Sequence, residues 1–252
     1  MRRSLQSILV IGLLAALLVS CGQSATVQQT AASPTVQQTA ASPTASSHAH
    51  TDQIAWQGFL DLDQSTSAIF SANADGSDAR QLTHPNYGEQ DGFPDWSPDG
   101  SKILFARIAV NGTSDVWVMN ADGTGLTQLT SCTGVCNGAQ WGRWSPDGSK
   151  IVYSVADNPI RPDGNASVEA LWIMNADGSH PVQFTHPPLP TSIADNSPAW
   201  SPDGTKMIFA HRSSMGADQN AHLYEMNADG SGLVQITGNP FWQRQPAWGP
   251  PP

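Results

Sequence analysis

Basic residues are scarce in this chain. Of 252 residues only 11 are Lys or Arg, against 21 Asp or Glu, and the formal net charge is -10. Two of those basic residues, Arg2 and Arg3, stand in an N-terminal segment expected to be removed. Nucleic-acid binding needs clustered Lys and Arg to displace counterions from phosphate, so the composition excludes a nucleic-acid partner. The same lack leaves no basic stripe for an anionic lipid surface. Charged residues amount to only 13%, whereas Gly 22 and Pro 19 supply many turn formers. That balance suits an all-β protein better than a helical one. Enzyme signatures are missing too. There is no G-x-S-x-G nucleophile elbow and no H-E-x-x-H metal pair.

Long apolar runs are also lacking. The longest, Leu9–Val19, is broken by Gly12 and is too short to span a bilayer comfortably. With Arg2 and Arg3 before it, it has the shape of an export signal. It ends in Leu18-Val-Ser-Cys21, which resembles the bacterial lipobox, and the resemblance implies lipidation at Cys21. An ordinary secretory signal or an uncleaved anchor are the alternatives. Residues 22–52 read as a disordered tether in which TVQQTAASP is written twice in tandem, with almost nothing apolar to offset the entropy of ordering. As a coil it would reach roughly 30 Å from Cys21. Cysteine is otherwise confined to Cys132 and Cys136. In an exported chain an even pair reads as a disulfide, with a metal pair or free thiols as alternatives. Two thiolates alone are too few for a structural zinc site.

What the sequence has is a repeat. WSPDG begins at Trp96, Trp144 and Trp200, and a truncated copy, WGPP, begins at Trp248. NADG begins at Asn73, Asn120, Asn175 and Asn227, and each unit closes on a Gln-x-Thr triplet ending at Thr83, Thr130, Thr185 and Thr237. Three markers in four copies and one order exclude chance, and fixed periods of this kind mark repeat architectures. Between the markers run short β-formers such as Lys102–Ile108 and Asp115–Asn120. Ser-Pro-Asp-Gly and Asn-Ala-Asp-Gly both suit a type I turn followed by a left-handed Gly, a common hairpin connection. Four strands per unit of about 50 residues is the pattern of a β-propeller blade.

The pattern W-S-P-D-G-x-K-I-x-F, then N-A-D-G, then Q-L-T resembles the TolB-like, PD-type propeller repeats of bacterial envelope proteins over residues 54–248. It departs from TolB in lacking the extra α/β domain and in offering four blades where that protein has six. The expected fold is therefore all-β: a β-propeller of four blades of four antiparallel strands, occupying residues 53–252. The first unit lacks an innermost strand and Gln245–Trp248 is an innermost strand with nothing after it. Pairing of this C-terminal strand with the N-terminal blade, beside Ile54–Phe59, would close the ring and remove an exposed edge. Two chains sharing an eight-bladed ring, or a six-bladed homologue cut short, are the alternative architectures.

The segments between Gln-x-Thr and the next Trp differ among units, and divergent positions on a repeated frame are where specificity resides. Counting back from each Trp gives the candidate binding residues of the axial face: Asp91, Gln140, Asp195, Asn196 and Arg244, with Trp141 and Trp242 as stacking surfaces. No cofactor or metal site is expected. Calcium held by carboxylates such as Asp91 and Asp195 is the alternative, with a lactonase-like or ligand-binding role. The resemblance implies a polar face that binds an envelope protein or peptide. With the lipobox and the missing enzyme motifs, the expected protein is a monomeric, non-catalytic, lipid-anchored module of the cell envelope, exported and facing the periplasm or exterior.

Overall fold

The computed structural model describes residues 53–132, 136–157, 168–187, 194–212, 221–238 and 242–249. The expected signal segment, Cys21 and the tether lie outside the described residues. Fifteen strands and no helix are present among them.

The strands fall into repeated units. The first unit has β1 (Gln53–Phe59), β2 (Ser67–Asn73) and β3 (Arg80–Gln81). The second has β4 (Gln90–Trp96), β5 (Lys102–Ile108), β6 (Ser114–Asn120) and β7 (Thr127–Gln128). The third has β8 (Cys136–Trp144), β9 (Lys150–Asp157), β10 (Glu169–Asn175) and β11 (Val182–Gln183), and the fourth β12 (Ala194–Trp200), β13 (Lys206–Arg212), β14 (Ala221–Asn227) and β15 (Val234–Gln235). Within a unit all pairings are antiparallel, as in Lys102 opposite Asn120 and Trp96 opposite Ile103. Successive units touch through single parallel bridges: Ser67 to Gln90, Ser114 to Gly138 and Glu169 to Ala194.

The three sequence markers each have a physical job. In the WSPDG turn Gly100 N–H donates to Ser97 O, and Gly100 has φ 69°, a left-handed conformation that glycine adopts without a Cβ clash. Lys102 N–H donates to Ser97 Oγ, which itself donates to Asp99 Oδ1 at 2.6 Å. NADG closes the other hairpin of each unit with Gly76, Gly123, Gly178 and Gly230, all at positive φ. The terminal Thr of the third marker accepts a strand amide with its hydroxyl: Ile69 N–H to Thr83 Oγ1, Val116 to Thr130, Leu171 to Thr185 and Leu223 to Thr237. A side-chain oxygen thus replaces the next ladder bond. This is why the outer strands, expected over stretches such as Leu126–Thr130, are only two residues long.

The blade tryptophans pack between units. Trp96 lies against Ile69, Ile103 and Phe105, Trp144 against Leu104, Val118 and Ile151, and Trp200 against Val152, Leu171 and Phe209. Each of these three interfaces draws apolar residues from two neighbouring units, so the core is a series of inter-unit seams. Cys132 and Cys136 are disulfide-bonded, which fixes the start of β8.

Among the described residues the expected pairing of Gln245–Trp248 with β1 is not seen. Residues 242–249 form no strand, and β1 pairs with β2 alone among the described residues. Residues 243–248 are tied back to the fourth unit instead: Gln243 N–H donates to Ala221 O at 3.0 Å, and Trp248 Nε1–H to Ala199 O at 3.2 Å. Without a partner strand, Ile54 and Trp56 are 48% and 36% exposed, where their counterparts Ile103 and Phe105 are 0% and 2%.

Candidate functional site

Antiparallel pairing sends every WSPDG and NADG turn to one end of the strands and the divergent segments to the other. The turn end is uniform and acidic. Asp99, Asp147 and Asp203 are held down at about 2, first by the hydroxyl of the preceding Ser97, Ser145 or Ser201 and then by the amide two residues on. These carboxylates are spent on turn geometry. The loop end is where the units differ.

Each inner strand carries a bulge just after the loop end. Register shifts fall between Gly92 and Asp95, between Gln140 and Arg143 and between Asn196 and Ala199. Inside the bulge, three residues before each Trp, a non-glycine residue takes a left-handed conformation: Phe93 at φ 57°, Trp141 at 59°, Ser197 at 54° and Gln245 at 54°. Left-handed L-residues are strained, and bulges re-aim neighbouring side chains. Gln245 keeps this geometry although no strand pairs with it, so residues 243–248 have the form of a fourth inner strand.

The residue four before each Trp is aimed by this bulge at the first residue of the third strand in the preceding unit. Gln140 Nε2 donates to Ser114 Oγ at 2.9 Å and Asn196 Nδ2 to Glu169 Oε2 at 3.0 Å. Gly92 has no side chain, and Gln57 fills its place: it donates to Ser67 Oγ at 2.9 Å, and its Oε1 lies 2.6 Å from where a Cβ on Gly92 would be. The fourth instance breaks the rule, because the residue facing Arg244 is Ala221, whose methyl accepts nothing.

A cavity of about 230 Å³ opens at this fourth position, lined by Glu169, Asn196, Arg212, Trp242, Arg244 and three alanines. The alanines leave the space that larger side chains would fill. The guanidinium carbons of Arg244 and Arg212 stand 4.6 and 5.9 Å from the Trp242 ring centroid. Glu169 has its carboxyl pushed above the usual range, first by burial, with Asn196, Ser154 and Arg212 opposing.

Of the residues expected to form the axial face, Asn196, Trp242 and Arg244 share this cavity. Gln140 lies one unit away on Ser114, and Trp141 packs on Phe93 with ring centroids 4.1 Å apart. Asp91 and Asp195 are turned to Arg107 and His211. Asp91 is fully buried and accepts from Arg107 Nε at 2.6 Å and Nη2 at 2.7 Å, and Asp195 Oδ1 lies 2.6 Å from His211 Nδ1. Both carboxylates named for calcium are therefore already partnered, and no group of three metal-ligating side chains occurs among the described residues. Glu169 and Arg212 escaped the count back from Trp because they stand at other strand ends. Aligning those ends would have found them: Glu169 stands where the other units have Ser67, Ser114 and Ala221, and Arg212 where they have Phe59, Ile108 and Ala156.

The family model of the TolB beta propeller domain matches residues 59–251. The chain belongs to that family. Its propeller architecture is shared with a protein of Agrobacterium tumefaciens named for TolB, at TM-score 0.59 and 22% identity over 74% of this chain and 61% of that one. It is shared also with a hydrazine synthase of Kuenenia stuttgartiensis, at TM-score 0.56 and 18% identity over 75% of this chain and 32% of that one. A nidogen/laminin complex follows at TM-score 0.55 and 13% identity, covering 75% of this chain and 62% of that one. The TolB-family chain thus spans about three fifths of the length of the Agrobacterium structure or less of such relatives. No curated protein matches its sequence.

Proposed function

We propose that this TolB-family chain is a non-catalytic binding module of the bacterial cell envelope, lipid-anchored through Cys21, that holds a protein or peptide partner at its loop face. One observation carries the reading. At the fourth inner-strand position the side chain that its counterparts turn inward, Arg244, is left facing a polar cavity with an exposed aromatic beside it. Cavities with a few convergent polar groups and an aromatic wall are where ligands bind. The turn face carries a wider cleft of about 780 Å³ between the second and third units, but Ser97, Asp99, Asp147 and Gly148 that line it belong to turns repeated from unit to unit, so it lacks the residue divergence of the loop face. The lack of nucleophile and metal motifs supports binding over catalysis, and the leader sequence supports the envelope.

A photo-crosslinking residue placed at Trp242 or His186, on the loop face, should trap a discrete partner in envelope preparations. Placed at Asp99 or Asp203, on the turn face, it should not. Crosslinks confined to the turn-face positions would refute the assignment.

A further inference from the structure

Arg244 offers five N–H donors. Its repeat counterparts Gln140 and Asn196 spend their amides on Ser114 and Glu169, but position 221 is alanine. Among the described residues the guanidinium is met only by the Trp242 ring. Arg212 approaches the same ring. Two cations are gathered on one indole at the mouth of one cavity, and their mutual repulsion is relieved by an anion between them. Glu169 is the acid in that cavity, yet one of its oxygens already accepts from Asn196 and it also bonds Ser154. It is committed to the wall. A guanidinium fork with no internal acceptor matches a planar carboxylate in two parallel hydrogen bonds. The charge complementarity is local: on a chain with only 11 Lys and Arg and a net charge of -10, two arginines meet at the mouth of this one cavity.

We propose that the cavity is a carboxylate subsite, in which Arg244 and Arg212 bind an acidic side chain or the C-terminal carboxylate of the docked peptide against Trp242. The proposal rests on the loop-face reading and adds the chemical class of the group that is recognised. Asn196 and Glu169 form the neutral-to-acidic wall that sets how deeply the carboxylate enters. The three alanines supply the room for it.

Fluorescence anisotropy of the full chain with three labelled octapeptides tests this. One contains glutamates and an amidated C-terminus, one contains glutamines and a free C-terminal carboxylate, and one contains glutamines and an amide. Either or both carboxylate peptides should bind at least tenfold tighter than the neutral amide, a difference of about 1.4 kcal/mol. Which of the two binds identifies the source of the carboxylate. Arg244→Gln and Arg212→Gln should bring the affinity to the neutral level. Arg244→Lys should retain part of it, because charge survives without the fork, and Lys150→Gln on the turn face should leave it unchanged. Equal binding of all three peptides, no effect of Arg244→Gln, or no binding of any peptide would overturn the carboxylate assignment. Equal binding that Trp242→Ala abolishes would do so while leaving the loop-face reading in place.

Discussion

Arg107 lays its guanidinium 5.1 Å from the Trp117 ring centroid while Nε and Nη2 both reach Asp91, whose side chain is wholly buried. The hydrogen bond to Asp91 is the main reason the Arg107 pKa is raised. Removing one partner of such a pair strands a buried charge, at about 3–5 kcal/mol, whereas removing both costs less. Urea denaturation of Arg107→Ala, Asp91→Ala and the double variant should therefore show singles that are each severely destabilised and a double well short of their sum. Additive losses would mean that the pair is not coupled. Glu169 makes the opposite electrostatic case. Burial raises its pKa against the pull of Asn196, Ser154 and Arg212, with Asp195 adding to the rise. A carboxyl raised in the folded state holds its proton longer there than in the unfolded chain. Its contribution is fully present at pH below the unfolded value and is lost as pH climbs through the raised one. Glu169→Gln should accordingly stabilise the chain at neutral pH, and the gap between variant and parent should close on acidification. A gap that widens as pH falls would contradict the assigned direction.

The elements show what repeat spacing can and cannot convey. Lys102–Ile108 and Gln53–Phe59 stand where their composition places them, because β-branched and aromatic runs bounded by Gly, Pro and Asp have few other options. The turns follow from Pro98 and Gly100 in the same way. The outer strands are shorter than composition suggests, since Thr130 and its counterparts take over the ladder with a hydroxyl. The inner-strand bulge was illegible, for Phe93, Trp141, Ser197 and Gln245 share a left-handed backbone but no residue type. Without the bulge, Asp91 and Asp195 look outward-facing like Asn196, when they are buried against Arg107 and His211. Ring closure depends on the angle between units, which no local pattern encodes. Among the described residues one edge of β1 is unpaired, and this can be measured. Amide exchange should find the β1 amides not bonded to β2 exchanging freely while those of β5 are protected at both edges. Full protection along β1 would show that residues 243–248 or another strand covers it.

For the whole molecule, the proposed function divides by face. One end repeats the same acidic turns and the other gathers Asn196, Arg212, Trp242 and Arg244 round one cavity. The leader belongs to the same picture: an anchor at Cys21 would hold the module at a membrane on its tether. Cys21→Ala should move the chain from the detergent phase to the aqueous phase, and continued partition into detergent would exclude lipidation there. The central claim is that the loop end beside Arg244 is the binding surface. The most direct measurement follows the indole N–H resonances of the nine tryptophans while an acidic peptide is titrated. The Trp242 signal, assigned by its loss in Trp242→Phe, should shift saturably while those of Trp96, Trp144 and Trp200 stay in place. A spectrum in which Trp242 does not move, or in which the inter-unit tryptophans move instead, would contradict it.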